Sequence, residues 1–304
     1  MDWKNRRHCN TISSTDVQKE IQLYGWIDAI RDHGHLLFVH LRDKSGMVQI
    51  VFNSEENKTA YDLSQQLRNE YVVSIKGTVV ERDADSVNTH IPTGKVEIMV
   101  TDLTILSESE TPPFIITEKD MFGNDTETHY VDEEIRLKYR YLDLRRTSMQ
   151  QNLIKRSQLL KVIRDYLSEY EFVDVETPVL TKSTPEGARD YLVPSRTHEG
   201  HFFALPQSPQ LFKQLLMVSG LERYYQIVKC FRDEDLRPNR QPEFTQLDLE
   251  ASFIDEEFIY ELIEGLLVNV YAAEGKTLPT PFPRYTYDHV MDTYGSDAPD
   301  LRFD

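Results

Sequence analysis

Five short runs in the first third of the chain are rich in apolar residues. Each run has the length and the β-branched or aromatic content that are typical of a strand. The five runs cover residues 21–30, 36–41, 48–52, 72–80 and 96–106. Residues 44–46 (KSG) predict a hairpin turn, and Ala60, Leu63 and Leu67 recur at helical spacing. The pattern therefore predicts five strands, with one helix between the third and the fourth.

This order of elements is typical of an OB-fold, a small barrel that often binds oligonucleotides. Alternation also assigns the side chains of the second and third strands to two faces. The inner face would hold Leu37, Val39, Leu41, Val48, Ile50 and Phe52, and the outer face would hold Leu36, Phe38, His40, Met47, Gln49 and Val51. An exposed Phe38 beside an outward Gln49 can stack on an unpaired base and hydrogen-bond to it. Packing of Phe38 beneath a loop is the alternative that the residues leave open.

The composition changes after residue 106. Residues 107–113 (SESETPP) predict a linker, because proline and acidic residues replace core residues. An irregular acidic stretch continues to residue 134, and residues 136–146 (RLKYRYLDLRR) then form the most basic segment of the chain. This segment is either a solvated hinge or a surface that contacts nucleic-acid phosphates.

A helix followed by a short strand is predicted at the start of the second half. The helix would begin near Thr147 or Ser148, because each has a glutamine three residues later, as in a capping box. Residues 171–180 predict a strand that contains a proline near its end. The helix would bury an apolar stripe formed by Leu153, Leu159, Leu160, Ile163, Tyr166 and Leu167.

A polar loop and two further helices follow. Residues 183–196 predict a mobile loop that carries Glu186, and such a loop is either a lid or an ordinary surface loop. Residues 208–209 (SP) predict a helix start, with serine as the cap and proline at the first position, and Gly220 predicts its end. Residues 256–273 predict another helix, because Phe258, Leu262, Leu266 and Val270 recur every four residues.

Two strand-like runs, residues 224–232 and 244–253, flank a polar loop and predict an antiparallel hairpin. Alternation places Phe244, Gln246, Asp248 and Glu250 on one face of the second run, and Val228, Cys230, Arg232 and Glu234 on one face of the first. Arg232 and Glu234 can therefore converge with Asp248. Arginine forks suit phosphate oxygens, so this face suits a ligand that carries both signs of charge. An ordinary sheet with one solvated face is the alternative.

The composition narrows the possible classes of protein. The net charge of −17 argues against a protein that coats nucleic acid without specificity. Two cysteines, Cys9 and Cys230, provide neither a disulfide framework nor the spacing of a metal site. The chain starts without an apolar signal region and has no uncharged apolar run long enough to cross a membrane. We therefore expect a cytoplasmic protein without a membrane span.

The hairpin sequence CFRDEDLRPNRQPEFTQLD is similar, nearly residue for residue, to the second signature motif of class II aminoacyl-tRNA synthetases. The similarity is greatest to the bacterial type of aspartyl-tRNA synthetase, and it extends upstream through RLKYRYLDLRR to the N-terminus. It implies an α+β multidomain protein: an OB-fold anticodon-binding domain (residues 1–106), a linker or hinge (107–134) and an incomplete class II catalytic domain with an antiparallel sheet (135–304). The helix and strand after residue 147 resemble the first motif, which implies a homodimer.

The resemblance also implies the chemistry. Aspartate would attack the α-phosphate of ATP, which binds with Mg²⁺, and the aspartyl group would then pass to tRNA(Asp). Arg232 and Glu234 would be the catalytic residues. The implied aspartate-binding residues are Glu186, Gln210, Leu211, Phe212, Lys213, Arg232 and Asp248, and the implied ATP-binding residues are Arg232, Asp233, Glu234, Gln241 and Phe244. The resemblance does not identify which residues would bind the Mg²⁺ ion.

For the anticodon, the resemblance implies recognition by Arg31, Phe38 and Gln49. Ala29 and Ile30 depart from the family, in which arginines are frequent at these positions. His33 resembles the histidine of members that accept both tRNA(Asp) and tRNA(Asn). The sequence thus leaves open whether one tRNA or two are charged.

The chain lacks the third class II motif, a glycine-rich segment with an arginine for the γ-phosphate. We therefore expect it to correspond to the N-terminal part of a ligase that would be inactive alone. The alternatives are a truncated tRNA-binding protein without catalytic activity, and a synthetase for asparagine or lysine. Lys213 with Gln210 favours an acidic substrate over a basic one.

Overall fold

The computed structural model describes residues 6–119, 123–126, 131–235, 237–238 and 240–302. The chain divides into two compact units, Met1–Leu153 and Ile154–Asp304, each with its own hydrophobic core. The predicted boundaries at residues 106 and 134 both fall within the first unit.

The first unit contains a closed barrel in the order β1-β2-β3-β5-β4. The barrel strands and the helix between the third and fourth of them are β1 (Glu20–Asp32), β2 (Leu36–Asp43), β3 (Gly46–Asn53), α1 (Lys58–Ser64), β4 (Val72–Glu81) and β5 (Val96–Ser107). The six residues predicted to face inward on β2 and β3 are at most 3% exposed and belong to the barrel core. The predicted five-stranded barrel, with a helix after the third strand, is therefore confirmed.

The outer face of β2 and β3 is less exposed than the alternation predicts. His40 is 3% exposed, Gln49 is 8% exposed and Val51 is 2% exposed, whereas Phe38 is half-buried. The prediction of an outward, accessible Gln49 was wrong because the chain between β4 and β5 lies against this face. Thr93 from that segment donates a hydrogen bond to the carbonyl of Met47 at 2.7 Å.

Burial of His40 leads to a pH-dependent stability. Burial, reinforced by the positive charge of Arg82, lowers the pKa of His40 from 6.5 to about 4. The unfolded chain therefore takes up a proton at a higher pH than the folded chain, and stability falls as the pH drops from 6.5 towards 4. We expect a loss of up to about 3 kcal/mol in the free energy of unfolding across this window. Urea titrations at several pH values measure this free energy. His40→Gln should reduce its dependence on pH between 6.5 and 4. An equal pH dependence in both proteins would contradict the role of His40.

Two short helices, α2 (Glu133–Lys138) and α3 (Arg140–Asp143), form most of the basic segment. Its arginines bind acidic residues of the same unit. Arg136 and Arg146 bind the buried Asp143 at 3.2 and 3.1 Å. Arg145 binds Glu70 at 2.6 Å, and Glu70 also binds Arg42 of β2 at 2.8 Å. Because Arg136, Arg145 and Arg146 are paired with acidic residues of the fold, the segment is not the fully solvated hinge that was one of its two interpretations.

The long helix α4 (Thr147–Glu169) begins where predicted, but its cap comes from a distant residue. The Ser148 N–H donates a hydrogen bond to the carboxylate of Glu118 at 2.9 Å, and the Ser148 hydroxyl binds the same group. A carboxylate at a helix N-terminus satisfies free N–H groups and complements the helix dipole. The local capping box was therefore the wrong explanation for this start.

The second unit is built on a three-stranded sheet in the order β10-β9-β6. Its elements are β6 (Val173–Asp174), β7 (Leu192–Pro194), β8 (Phe202–Ala204), α5 (Gln210–Val218), β9 (Arg223–Phe231), β10 (Glu243–Ala251), α6 (Glu256–Ala273) and α7 (Tyr287–Tyr294). Leu262 and Leu266 of α6 pack with Tyr166 and Leu167 of α4 and with Tyr225 of β9. The predicted hairpin and the predicted helix over residues 256–273 are confirmed.

Several predicted boundaries in this unit were wrong. The strand expected over residues 171–180 is only two residues long, and Glu171 before it has a φ of +61°. The second hairpin strand ends at Ala251 rather than at residue 253, because Phe253 has a φ of +57° and leaves the sheet. Helix α5 starts at Gln210, one residue after the expected proline. The loop expected over residues 183–196 contains strand β7, which pairs with β8.

Candidate functional site

The register of the hairpin brings polar side chains together on one face of the sheet. Phe244 pairs with Cys230, Gln246 with Val228, and Asp248 with Gln226. Directly paired residues point to the same face, so this face combines the alternating residues predicted for both strands. Phe244 and Asp248 are four residues apart on β10, which corresponds to roughly 13 Å at the rise of an extended strand.

A pocket of about 250 Å³ lies at the loop end of the hairpin. Its lining residues are Arg232, Glu234, Asp235, Arg240, Gln241, Pro242 and Phe244. The Arg232 guanidinium lies over the Phe244 ring, 5.0 Å from its centroid. The backbone N–H of Arg232 donates a hydrogen bond to the Pro242 carbonyl at 2.9 Å. The pocket thus holds an aromatic face and a fixed guanidinium, which suit a planar base and a phosphate.

A cluster of three charged side chains lies further along the same face. The ammonium of Lys213, on α5, is 3.0 Å from Asp248 Oδ1 and 3.2 Å from Glu250 Oε2. Desolvation alone would lower the pKa of Lys213, but its bonds to the two carboxylates outweigh this and raise the pKa. Burial raises the pKa of Asp248, and its buried Oδ2 has no hydrogen-bond partner. The cluster therefore offers a cation and an unpaired carboxylate oxygen to a ligand.

Cys230 lies between the pocket and the Lys213 cluster, and charged residues of both affect the pKa of its thiol. Burial raises the pKa of its thiol to about 11; the charge of Arg232 opposes this rise, and the charges of Asp248 and Glu186 add to it. The Cys230 thiol donates a hydrogen bond to Gln246 Oε1 at 3.2 Å. Three residues that the sequence assigned to one site thus lie within electrostatic range of a single buried side chain.

Glu186 reaches this region from the loop before β7. The Ser208 hydroxyl donates to its carboxylate at 3.1 and 3.3 Å, and Ser208 lies two residues before the start of α5. Gln210 and Phe212 on α5 are half-buried, whereas Leu211 lies on the exposed side of that helix, with 51% of its surface accessible. The side chain of Asp233 is exposed, and its N–H donates to the Arg189 carbonyl at 3.0 Å.

A separate cavity of about 610 Å³ lies on the outer face of the barrel. The four residues proposed for anticodon recognition, Arg31, His33, Phe38 and Gln49, all line it. The rings of His33 and Phe38 meet edge to face at 5.5 Å between centroids. Gln49 is buried but donates a hydrogen bond to Glu97 at 2.8 Å. This is an aromatic and amide surface of the kind that binds unpaired bases.

Sequence reasoning missed two groups of residues. Arg82 lines the barrel cavity, is 8% exposed, and has two buried guanidinium nitrogens, Nε and Nη2, without a hydrogen-bond partner. Its ion pair with Glu97, at 3.4 Å, connects it to Gln49. In the second unit, Glu250 and the buried Gln207 were not predicted. The only sequence signal for any of these residues was the alternation along β10, which placed Glu250 on the same face as Asp248.

Within the described ranges, no group of three or more histidine, cysteine, aspartate or glutamate side chains is arranged to hold a metal ion. The helices of the described residues are also too short or too polar for any of them to cross a lipid bilayer.

Two family models match the chain. The family described as tRNA synthetases class II (D, K and N) matches residues 132–304, and the OB-fold nucleic acid binding domain matches residues 21–106. Together they account for both units and for the sheet that carries the candidate site.

Curated relatives are similar over nearly the whole chain. An aspartate–tRNA(Asp/Asn) ligase from Syntrophus aciditrophicus is 56% identical over 306 residues, which cover 100% of this chain and 42% of the relative. An aspartate–tRNA ligase from Staphylococcus haemolyticus is 54% identical, covering 99% of this chain and 50% of the relative. The chain thus spans about half the length of these relatives.

The fold is shared with solved structures. An asparaginyl-tRNA synthetase from Pyrococcus horikoshii, in complex with asparaginyl-adenylate, aligns with 96% of this chain and 68% of its own, with a TM-score of 0.78. At 22% identity this similarity concerns the fold alone.

Proposed function

Because the chain belongs to the class II tRNA synthetases of the D, K and N group, we propose that it acts in the ATP-dependent attachment of L-aspartate to tRNA. The observation that carries this proposal is the arrangement on one face of the hairpin. A pocket with Arg232 and Phe244 lies beside a cluster in which Lys213 faces Asp248 and Glu250. The pocket suits a nucleotide, and the cluster suits a small molecule with both a carboxylate and an ammonium group.

The first step would join the two substrates directly. An oxygen of the aspartate α-carboxylate forms a bond to the α-phosphorus of ATP, the bond from that phosphorus to the bridging oxygen breaks, and pyrophosphate leaves. Arg232 would bind the α-phosphate and the attacking carboxylate, Phe244 would stack on adenine, and Glu234 and Gln241 would contact ATP. Because no covalent enzyme intermediate forms, catalysis depends on positioning and on charge stabilisation. In the second step the aspartyl group passes to the tRNA 3′ end and AMP leaves.

Lys213 would select the amino acid by pairing with its side-chain carboxylate. Asp248 and Glu186 would then hold its ammonium group, and the unpaired Asp248 Oδ2 supports this assignment. Asparagine lacks the second carboxylate, so the cluster supports aspartate over asparagine. Magnesium would bind with ATP, because Mg²⁺ is usually held by one or two carboxylates together with substrate phosphates. Glu234 and Asp235 in the pocket fit that role, and the ion would neutralise phosphate charge.

The test is aspartate-dependent exchange of pyrophosphate into ATP. We would use a chimera in which residues 1–304 replace the matching part of the Staphylococcus haemolyticus relative. Exchange with aspartate and none with asparagine or lysine would support the proposal. Exchange with asparagine alone would assign the cluster to the other amino acid. A folded chimera without any exchange, whose barrel still binds an anticodon stem-loop, would favour a tRNA-binding protein without catalytic activity.

The barrel cavity supports recognition of unpaired anticodon bases. We expect Phe38→Ala to weaken binding of a tRNA(Asp) anticodon stem-loop to the chain by 1 to 3 kcal/mol, about the value of one base stacked on an aromatic ring. Fluorescence anisotropy at several salt concentrations would measure it. Loss of a stacking contact should leave the salt dependence unchanged, whereas Arg31→Ala should reduce its slope by about one. Equal affinity of Phe38→Ala and the parent would contradict the role of the ring.

Charging of tRNA(Asn) in addition to tRNA(Asp) is a finer proposal, and it is supported by the edge-to-face contact of His33 with Phe38 in the cavity. Comparable aminoacylation of both tRNAs by the chimera is the expected result. A strong preference for tRNA(Asp) would refute it. His33→Leu is the informative variant, because it preserves bulk at the cavity rim and removes the imidazole.

We also propose a homodimer in a reducing, cytoplasmic setting. Val173, Val179 and Leu180, in the segment that resembles the first class II motif, are 45%, 47% and 52% exposed, and a second copy of the chain would cover this apolar surface. The two cysteines, Cys9 and Cys230, are both buried and free, as is typical of proteins that need no disulfide. Sedimentation velocity of the chimera measures the association.

A further inference from the structure

The loop that carries Glu186 is held by one buried side chain. Gln207 is 2% exposed and uses both ends of its amide on this loop. Its Oε1 accepts a hydrogen bond from the Ala188 N–H at 3.0 Å, and its Nε2 donates to the Ala188 carbonyl at 2.9 Å and to Asp190 Oδ1 at 2.5 Å. An amide is the side chain that can pair in this way with both backbone groups of one residue.

Asp190 connects Gln207 to the start of the loop through hydrogen bonds. Its Oδ2 accepts hydrogen bonds from the Ser183 hydroxyl at 2.5 Å and from the Thr184 N–H at 3.3 Å. Although burial acts to raise the pKa of Asp190, the hydrogen bonds from Ser183, Gln207 and Thr184 lower it overall. The Asp190 carboxylate is therefore charged at neutral pH, so its bond to the Gln207 amide is charge-assisted and strong.

Gln207 also lies where the loop meets the candidate site. The residue before it, Pro206, accepts a hydrogen bond from the Phe231 N–H of β9 at 2.9 Å. The residue after it, Ser208, donates to the Glu186 carboxylate. At the other end of the loop, the Arg189 carbonyl accepts from the Asp233 N–H at 3.0 Å. The loop is thus bonded on one side to the start of α5 and on the other to the end of β9 beside Arg232.

The loop has no buried apolar side chain to hold it in place and depends on its hydrogen bonds. Residues 183–190 are half-buried or exposed, and Gly187 has a φ of +96° with no atom near its missing side chain. A short polar segment without an apolar anchor loses about 1 to 2 kcal/mol of backbone entropy for each residue that is fixed. The hydrogen bonds of Gln207, together with those from Ser208 to Glu186 and from Asp233 to Arg189, must therefore offset much of the cost of this ordered conformation.

We propose that Gln207 is a positioning residue for aspartate binding, and that its amide fixes the loop so that Glu186 faces the substrate ammonium. This rests on the proposed function. Gln207 itself touches neither substrate; it acts through Ala188 and Asp190 on the position of the Glu186 carboxylate.

The decisive variant is Gln207→Glu, which has the same shape. As a carboxylate it keeps the acceptor for the Ala188 N–H but loses both donated bonds, and it places a second negative charge beside Asp190. We expect the aspartate KM of the chimera to rise roughly 10- to 100-fold at pH 8, the range for a lost bond to a charged group. Protonation of the new carboxyl restores one donor, so the defect should shrink at pH 6. The ATP KM should stay within about twofold, because Arg232 and Phe244 are untouched.

Gln214→Glu is the matched control, because it makes the same change on the exposed side of α5 and should leave both KM values unaltered. An aspartate KM that does not change in Gln207→Glu, or a defect that does not depend on pH, would overturn the proposal.

Hydrogen exchange on the 304-residue chain tests the loop without any substrate. In Gln207→Met the Ala188 amide should exchange at least 10-fold faster, whereas amides of the β9–β10 ladder keep their protection. Loss of protection in the ladder as well would make Gln207 a residue of the whole fold and overturn the positioning role. Faster exchange at Ala188 in a chimera that never activates aspartate would instead refute the proposed function and leave the loop contact standing.

Discussion

Arg232→Ala is expected to lower aspartate-dependent pyrophosphate exchange in the chimera by a factor of at least about 100, comparable with the loss of one preorganised donor to a transition state. The guanidinium lies over the Phe244 ring, and its backbone N–H is bonded to Pro242, so the chain holds this residue in place before any ligand arrives. Its two parallel N–H groups can contact the α-phosphate and the attacking carboxylate together. Alanine removes both contacts just where negative charge accumulates.

Two controls separate this role from general charge and from folding. Arg232→Lys keeps the charge but not the planar fork, and should recover only a small part of the rate. Lys229→Ala removes a cation on β9, three residues before Arg232, where the side chain is exposed and paired with Glu243 at 2.7 Å. It should exchange pyrophosphate at the parent rate. Parent-like exchange by Arg232→Ala, in a protein with unchanged thermal stability, would refute the assigned role.

Lys213→Met is expected to raise the aspartate concentration needed for half-maximal exchange by a factor on the order of 100 or more, equivalent to about 3 kcal/mol. The variant removes the partner of the substrate side-chain carboxylate, and it also leaves Asp248 and Glu250 facing each other without a cation. Both Lys213 and Asp248 have only 13% of their side-chain surface exposed, so water compensates poorly for the loss. The ATP requirement should be unchanged, because Lys213 is not part of the nucleotide pocket.

The variant also has a pH signature. Burial already raises the pKa of Asp248, and the bond to Lys213 opposes that rise. Without the lysine the pKa of Asp248 must rise further, so the Asp248 carboxyl should hold its proton to higher pH. Aspartate binding by Lys213→Met should then improve with increasing pH more steeply than in the parent. Lys213→Arg keeps the charge and serves as the control; aspartate dependence in Lys213→Met equal to that of the parent would remove the residue from the substrate site.

Local patterns were sufficient for the barrel and for the hairpin. Val39, Ile50 and Phe52 lie at alternate positions of their strands that are all apolar, and a barrel that packs one face of each strand must bury them. Burial of His40 and Gln49 on the other face depended on a segment more than 30 residues further along the chain, which no strand pattern describes. The predicted cap of α4 was wrong for the same reason, since Glu118 lies 30 residues before Ser148.

The candidate site was predicted in a similarly uneven way. Resemblance to a motif supplied Arg232 and Phe244, and the structure brings these into one pocket. No sequence pattern predicted a role for Gln207, because glutamines are usually exposed. Only the fold shows that its amide faces Ala188 and Asp190. The bonds between Lys213 and the two acids of β10 join an element of helix to one of sheet, and only tertiary packing reveals such a pairing.

The ion pairs of Glu70 constrain how this chain can change over evolution. Glu70 is 4% exposed and bonds both Arg42 of β2 and Arg145 beyond the linker. Losing the carboxylate alone would remove the acidic partner of Arg145 and one of the two acidic partners of Arg42, and losing one arginine would leave a buried acid with half its partners. We expect substitutions at these three positions to arise together in related sequences. A chimera that takes residues 1–106 from a relative should therefore fold stably only when the segment containing Arg145 comes from the same relative.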